Sequence, residues 1–220
     1  MPTAVVTGAN RGIGLELCRQ LAARGDTVVA ACRRPTKELE GLGVRVESGV
    51  DVGDEGSIAS FARRLAGAGV DLLVNNAGIL TRESLEDLDF ARIRAEIEIN
   101  ALGPLRVTAA LLPLMPRGAK IGLITSLMGS MGDNGSGGSY GYRMSKAALN
   151  AAGVSLARDL APRGIAVAIL HPGFVATDMT GHRGSVTPAD SVRGLLARLD
   201  TLTLETSGRF LRATGEPLPW

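Results

Sequence analysis

Short apolar runs alternate with longer amphipathic stretches along almost the whole chain. Thr3–Thr7, Thr27–Cys32, Val44–Glu47, Leu72–Asn75, Ile121–Thr125, Ala166–Leu170 and Arg209–Arg212 are rich in Val, Ile, Leu and Ala, with little alternation of apolar and polar positions. A strand covered by helices on both faces needs apolar side chains on both, so near-continuous runs predict parallel strands inside a layered fold. Between them, Gly12–Arg24, Asp54–Ala66, roughly Leu85–Met115, Gly141–Leu160 and Pro188–Leu199 predict helices. This βαβ rhythm predicts an α/β fold: one Rossmann-type, doubly wound parallel sheet of seven strands, with right-handed crossovers and helices on both faces. No repeat, linker or shift of composition divides the chain, so residues 1–220 are expected to form a single dinucleotide-binding domain. Two segments are irregular, Met128–Ser139 and Thr180–Thr187, both containing Gly and Ser. Long loops at the carboxyl ends of strands are where such sheets place their sites.

Composition narrows the function classes. Apolar residues make up 45% of the 220, yet only seven are aromatic, which suits close helix-on-sheet packing. The net charge is +2, and no basic run interleaved with aromatics points to nucleic acid. No apolar stretch approaches the roughly 18 or more residues of a membrane span. The first residues run straight into a strand pattern, so no secretory leader is expected. Cys18 and Cys32 have neither metal-binding spacing nor a disulfide framework; they read as buried thiols in a reducing cytoplasm, and no metal site is expected.

The first predicted strand passes into the first predicted helix through Thr7-Gly-Ala-Asn-Arg-Gly-Ile-Gly14. Glycines there let the backbone approach a pyrophosphate, and the helix N-terminus offers free N–H groups and a favourable dipole. The spacing is Gly-x-x-x-Gly-x-Gly, not the Gly-x-Gly-x-x-Gly of the standard fingerprint. Gly8, Asn10, Arg11, Gly12, Ile13 and Gly14 are therefore candidate cofactor residues. An acidic residue closing the second strand would select NAD by binding the ribose 2′-hydroxyl. Here the strand closes with Cys32-Arg33-Arg34. Arg33, assisted by Arg11, can pair with a 2′-phosphate, so NADP(H) is expected in preference to NAD(H).

Tyr142 and Lys146 stand four residues apart in a helical segment, which places both side chains on one face. A nearby ammonium favours the phenolate and is expected to lower the tyrosine's pKa towards the range of a general acid or base. A proton-transfer pair together with a nucleotide loop points to hydride chemistry.

Taken in order, Thr7–Gly14, Asp51-Val52, Asn75-Asn-Ala-Gly78, Asn100, Ser126, Tyr142 with Lys146, and Pro172-Gly173 with Thr177 resemble the short-chain dehydrogenase/reductase family through essentially the whole chain. Tyr140–Asn150, His171–Met179 and the closing Gly215–Trp220 are similar to the C-factor or sniffer-type subgroup, which includes carbonyl reductases. The resemblance implies an oxidoreductase moving hydride between nicotinamide and a small carbonyl or alcohol. Tyr142 would exchange the proton, Lys146 would bind the nicotinamide ribose and hold the tyrosine's pKa down, and Ser126 would hydrogen-bond the substrate oxygen. Asn100 would hold a water relaying protons from Lys146. Asp51 and Val52 would meet the adenine, and Asn76, Ala77 and Gly78 would line the cofactor. Pro172, Gly173, Val175 and Thr177 would cradle the nicotinamide end. Ser126 lies sixteen residues before Tyr142 and its rival Ser130 twelve; Ser126 is favoured because Ile124–Gly129 matches the family's strand-end serine. Tyr140 is no rival to Tyr142, because Met144 stands where its lysine should be.

A non-catalytic NADP(H)-binding sensor on the same fold is the alternative. Family relatives pair through the helices that Leu85–Met115 and Gly141–Leu160 resemble, which implies a homodimer or homotetramer. The residues Glu83–Asp89 read as a solvated helix start.

Overall fold

Val5 and Val6, Leu73 and Val74, and Ile169 and Leu170 are consecutive strand residues pointing to opposite faces, yet all are fully buried. Only a sheet covered on both sides allows this. In the computed structural model, which describes residues Met1–Trp220, seven parallel strands pair in the order β3-β2-β1-β4-β5-β6-β7. They are β1 Thr3–Thr7, β2 Thr27–Ala31, β3 Arg45–Glu47, β4 Leu72–Asn75, β5 Lys120–Ile124, β6 Ala166–His171 and β7 Phe210–Arg212. All lie within one or two residues of the sequence expectation. Helices α1 (Gly12–Ala23), the short α2 (Lys37–Glu40, not foreseen) and α7 (Pro188–Asp200) cover one face. Helices α3 (Glu55–Arg64), α5 (Gly103–Leu111) and α6 (Tyr140–Leu160) cover the other, and α4 (Phe90–Ile97) packs against α6. The strand order reverses between β1 and β4, opening a crevice at the carboxyl ends of the sheet.

One expected helix is broken. Leu85–Met115 was expected to be continuous, but the helix starts at Phe90, and residues 85–89 lie outside it. Asp89 ends the preceding loop as N-cap, accepting hydrogen bonds from Ala91 N (2.9 Å) and Arg92 N (3.1 Å). Downstream, a π-turn over Glu98–Leu102 separates α4 from α5. Pro104 explains the widening: with no N–H, it cannot donate to the Asn100 carbonyl one α-turn back. The expected solvated start at Glu83 is also corrected. Its side chain is buried, accepting from Gly141 N (3.3 Å) and from Thr81 Oγ1.

The run Phe90–Leu114 is long and apolar enough, by length and composition, to cross a membrane, contrary to the sequence expectation. Here Val107 and Leu111 are fully buried in the core shared with α3 and the sheet.

Helix α6 lies unusually close to the sheet. A Cβ on Gly153 would stand 2.7 Å from Ile169 Cδ1 and 2.9 Å from Leu123 Cδ1. Gly153→Ala therefore overpacks the interface that sets the height of α6, despite alanine's better helix propensity. The variant is expected to lose about 1–3 kcal/mol, measured from its denaturant midpoint; a gain in stability would contradict this packing.

Candidate active site

The crevice is a cleft of about 1120 Å³ running along the carboxyl ends of the strands. At its floor the chain crosses from β1 into α1. Gly14 sits one turn inside the helix, where a Cβ would stand 2.2 Å from Gly8 O and 2.5 Å from Asn76 Nδ2. Asn76 ties the turn to the end of β4, donating to Thr7 O (3.0 Å) and Gly8 O (3.3 Å). Thr7 Oγ1 accepts in return from the amides of Asn76 and Ala77, both at 3.1 Å. Helix α1 has no side-chain cap and no acidic residue in its first turn, so its leading N–H groups remain available to an anion. Arg33, exposed at the cleft, makes no ion pair, whereas Arg11 pairs with Asp178 at 3.4 Å. These features fit a nucleotide diphosphate carrying an additional phosphate.

Most expected residues meet in this cleft. Gly8, Asn10, Arg11, Gly12 and Ile13 line it, followed by Arg33, Asp51 and Val52. Asn76, Ala77 and Gly78, then Pro172, Gly173, Val175 and Thr177, complete the expected cofactor wall. Ser126, Tyr142 and Lys146 face the same space, at the end of β5 and on the first turns of α6. Two expected residues stand behind the wall. Gly14 is pressed against Gly8, and Asn100 is fully buried in the π-turn. Asn100 Oδ1 accepts from Ile79 N (2.8 Å), while Nδ2 donates to Ile79 O (2.9 Å) and Ser145 Oγ (3.0 Å). Ser130 lies outside the cleft lining, its hydroxyl donating to Trp220 O (3.2 Å) and accepting from Asp133 N (3.1 Å).

Burial dominates the electrostatics. Lys146 is 4% exposed and donates from Nζ to Ile124 O at 2.9 Å. Loss of hydration pushes its ammonium down to about 8. Tyr142 is pushed the other way, up to about 12: burial disfavours the phenolate, a hydrogen bond with Ser126 pulls back, and the Glu96 charge adds to the rise. The net shift is therefore upward, not the lowering expected from its lysine: burial outweighs the ammonium, whose Nζ stands 5.7 Å from the ring centroid. The phenol is consequently held protonated at neutral pH.

Three groups that matter to this geometry had no signal in the sequence. The Ile124 carbonyl receives the lysine through backbone position alone. Ser145 links Asn100 to α6 and donates to Tyr142 O at 2.8 Å. Glu96, fully buried, acts electrostatically on both Tyr142 and Lys146. His171 ends β6 at the cleft.

The family model for short chain dehydrogenase matches residues 2–186. The chain is 45% identical, over the full length of both proteins, to 1-hydroxy-2-glutathionyl-2-methyl-3-butene dehydrogenase of Rhodococcus sp. (strain AD45). It is 47% identical over 164 residues to C-signal of Myxococcus xanthus, covering 73% of this chain and 99% of that one. Among solved structures, the NADPH-bound carbonyl reductase from chicken fatty liver superposes with a TM-score of 0.91 at 32% identity, over 100% of this chain and 99% of that one. Carbonyl reductase Sniffer of D. melanogaster gives 0.93 at 29% identity, with both chains fully covered.

His171 offers a test of the burial argument. Desolvation first, and the Arg212 charge second, push its imidazole from 6.5 down to about 4, and Nδ1 has no partner. A folded-state pKa below the unfolded value means the unfolded chain takes up the proton first. Stability from this group is thus complete above pH 6.5 and is lost as pH falls towards about 4. Between those limits the wild type is expected to lose up to about 3 kcal/mol more than His171→Gln, by denaturant titration at each pH. Parallel losses in the two proteins would contradict a buried neutral imidazole.

Proposed function

The chain belongs to the short-chain dehydrogenase/reductase family and is an NADP(H)-dependent oxidoreductase; we propose that Tyr142 is its general acid–base on a carbonyl or alcohol substrate. The supporting observation is the convergence of Tyr142, Lys146 and Ser126 on the same cleft as the uncapped start of α1 and the unpaired Arg33. Gly8, Asn10, Gly12 and Ile13 hold the diphosphate beside the α1 amides, with Gly14 allowing the close turn behind them. Arg33, with Arg11, takes the 2′-phosphate, Asp51 and Val52 meet the adenine, and Asn76–Gly78 flank the cofactor. Pro172, Gly173, Val175 and Thr177 hold the nicotinamide end. Bound there, NADPH supplies the hydride.

In the reducing direction Tyr142, protonated at neutral pH, donates its phenolic proton to the substrate oxygen as negative charge develops on it. Ser126 donates a hydrogen bond to the same oxygen; Ser130, occupied with Trp220 and Asp133, does not. The Lys146 ammonium binds ribose hydroxyls and stabilises the phenolate left behind. Asn100 keeps Ile79 and Ser145 in place, and its backbone carbonyl, freed by Pro104, holds a water through which the proton on Tyr142 is replaced. Residues 1–220 act as one catalytic unit.

The loop after β6 is short, and Phe174 and Met179 line the cleft while partly exposed, so bulky and varied carbonyl compounds are accommodated. Arg82 lines the cleft without an ion-pair partner, which suits substrates bearing a carboxylate, including glutathione conjugates such as the one named for the Rhodococcus relative. Leu102 and Leu105 on and beside α5, and Met144 on α6, are 44%, 42% and 51% exposed. They support pairing of these helices in a homodimer or homotetramer. Two buried free thiols, Cys18 and Cys32, are in keeping with a cytoplasmic setting. The relative called C-signal keeps a second reading in view, an NADP(H)-binding signalling protein, but that role needs no buried tyrosine–lysine pair.

Tyr142→Phe is expected to lower kcat for carbonyl reduction at least about 100-fold, while NADPH affinity stays within a few-fold. Arg33→Asp is expected to shift the NADPH-to-NADH preference about 10- to 100-fold towards NADH. Residual full turnover in the first, or an unchanged ratio in the second, would contradict these assignments.

A further inference from the structure

Glu96 is 0% exposed, and no cation forms an ion pair with it. Its Oε1 accepts from Thr81 N at 2.7 Å, but its Oε2 has no hydrogen-bond partner. That oxygen lies against the backbone of α6: a Cβ on Gly141 would stand 2.2 Å from it. The same carboxylate acts on Tyr142 and Lys146, one and five residues further along that helix. A buried carboxylate without a cation partner is expensive, so its retention beside a buried ammonium calls for a physical explanation.

The groups facing Glu96 come from two elements: residues 79–83 contribute the Thr81 amide and the Glu83 carboxylate, and α6 contributes Gly141, Tyr142 and Lys146. Glu83 in turn accepts from Gly141 N and from Thr81 Oγ1. Two carboxylates therefore bracket the positive end of the α6 dipole. They also pin the segment after β4 to the turn that carries the tyrosine.

We propose that Glu96 is a positioning residue for proton transfer, fixing the first turn of α6 and setting the charge felt by Lys146 and Tyr142. The proposal rests on the role assigned above to Tyr142 and Lys146. Burial and the like charge of Glu83 both raise Glu96, while Lys146 lowers it. The Glu96 charge keeps Lys146 from falling further. Two substitutions then separate charge from packing. Glu96→Gln removes the negative charge, so Lys146 should lose its proton at lower pH. Glu96→Asp keeps the charge but draws the carboxylate back from Gly141, so Lys146 should hold its proton as in the wild type while the first turn of α6 is loosened. A purely structural role leaves the Lys146 midpoint in place in both variants.

The chain has only three lysines, Lys37, Lys120 and Lys146, so their side-chain Cε resonances can be followed individually by NMR against pH without turnover. The wild-type Lys146 midpoint is expected at about 8. Glu96→Gln should shift it down by about half a pH unit, and Glu96→Asp should leave it in place. The alkaline limb of kcat for reduction should move with it, and in Glu96→Gln kcat should fall several-fold with KM for NADPH unchanged. An unmoved midpoint in Glu96→Gln would overturn the proposal. Should Glu96→Gln fail to fold, Glu96→Asp decides alone: kcat should fall while the midpoint stays, and an undiminished kcat contradicts it. Undiminished turnover in Tyr142→Phe would defeat the oxidoreductase mechanism while leaving these shifts readable.

Discussion

A lysine ammonium taken out of water and given a single carbonyl partner is the constraint around which this structure is arranged. Lys146 reaches the Ile124 carbonyl at 2.9 Å only because α6 lies low over β5 and β6. That height needs Gly153 against Ile169 and Leu123, and Gly141 against Glu96. Burial alone would drive the lysine towards neutrality; the Glu96 charge opposes this. Tyr142, three-quarters of a turn into the same helix, is kept protonated by the same loss of solvent. Packing, electrostatics and chemistry therefore meet on about three turns of one helix.

The opposite end of the cleft works by other means. Backbone geometry, not buried charge, prepares it: β1 stops at Thr7, Asn76 and Thr7 bind the turn to β4, and α1 begins with bare amides. Charge enters only at the rim, where Arg33 is free and Arg11 leans on Asp178. Because the exposed arginines are screened and the buried pair is not, salt should weaken nucleotide capture more than proton transfer. The sheet order couples the two ends, since the reversal between β1 and β4 brings both to one crevice.

The sequence made the strands legible because parallel strands carry their burial on both faces, and all seven lie within one or two residues of expectation. It also placed Tyr142, Lys146, Ser126 and the glycine turn, where each depends on local spacing. It failed where the cause was tertiary or a single missing proton. The break at Glu98–Leu102 follows from Pro104, whose absent N–H was legible but was not weighed against a strongly helical stretch. Glu83 read as solvated because it stands in an acidic run, and only the fold shows its side chain turned onto Gly141 N. The tyrosine's shift was misjudged for a related reason. Spacing reveals that a lysine is near, but not that both groups have lost their water. Glu96 was invisible for the same cause, since its partners are 13 and 15 residues before it and 45 or more after it.

The most direct test combines nucleotide binding with turnover on the purified protein. NADPH and NADH are titrated in parallel, and oxidation of each is then followed with carbonyl compounds ranging from small aldehydes to fused-ring ketones and glutathione conjugates. The account predicts tighter binding of NADPH and its oxidation in step with alcohol formation. Tight binding without turnover across the whole panel, or a preference for NADH, would contradict it.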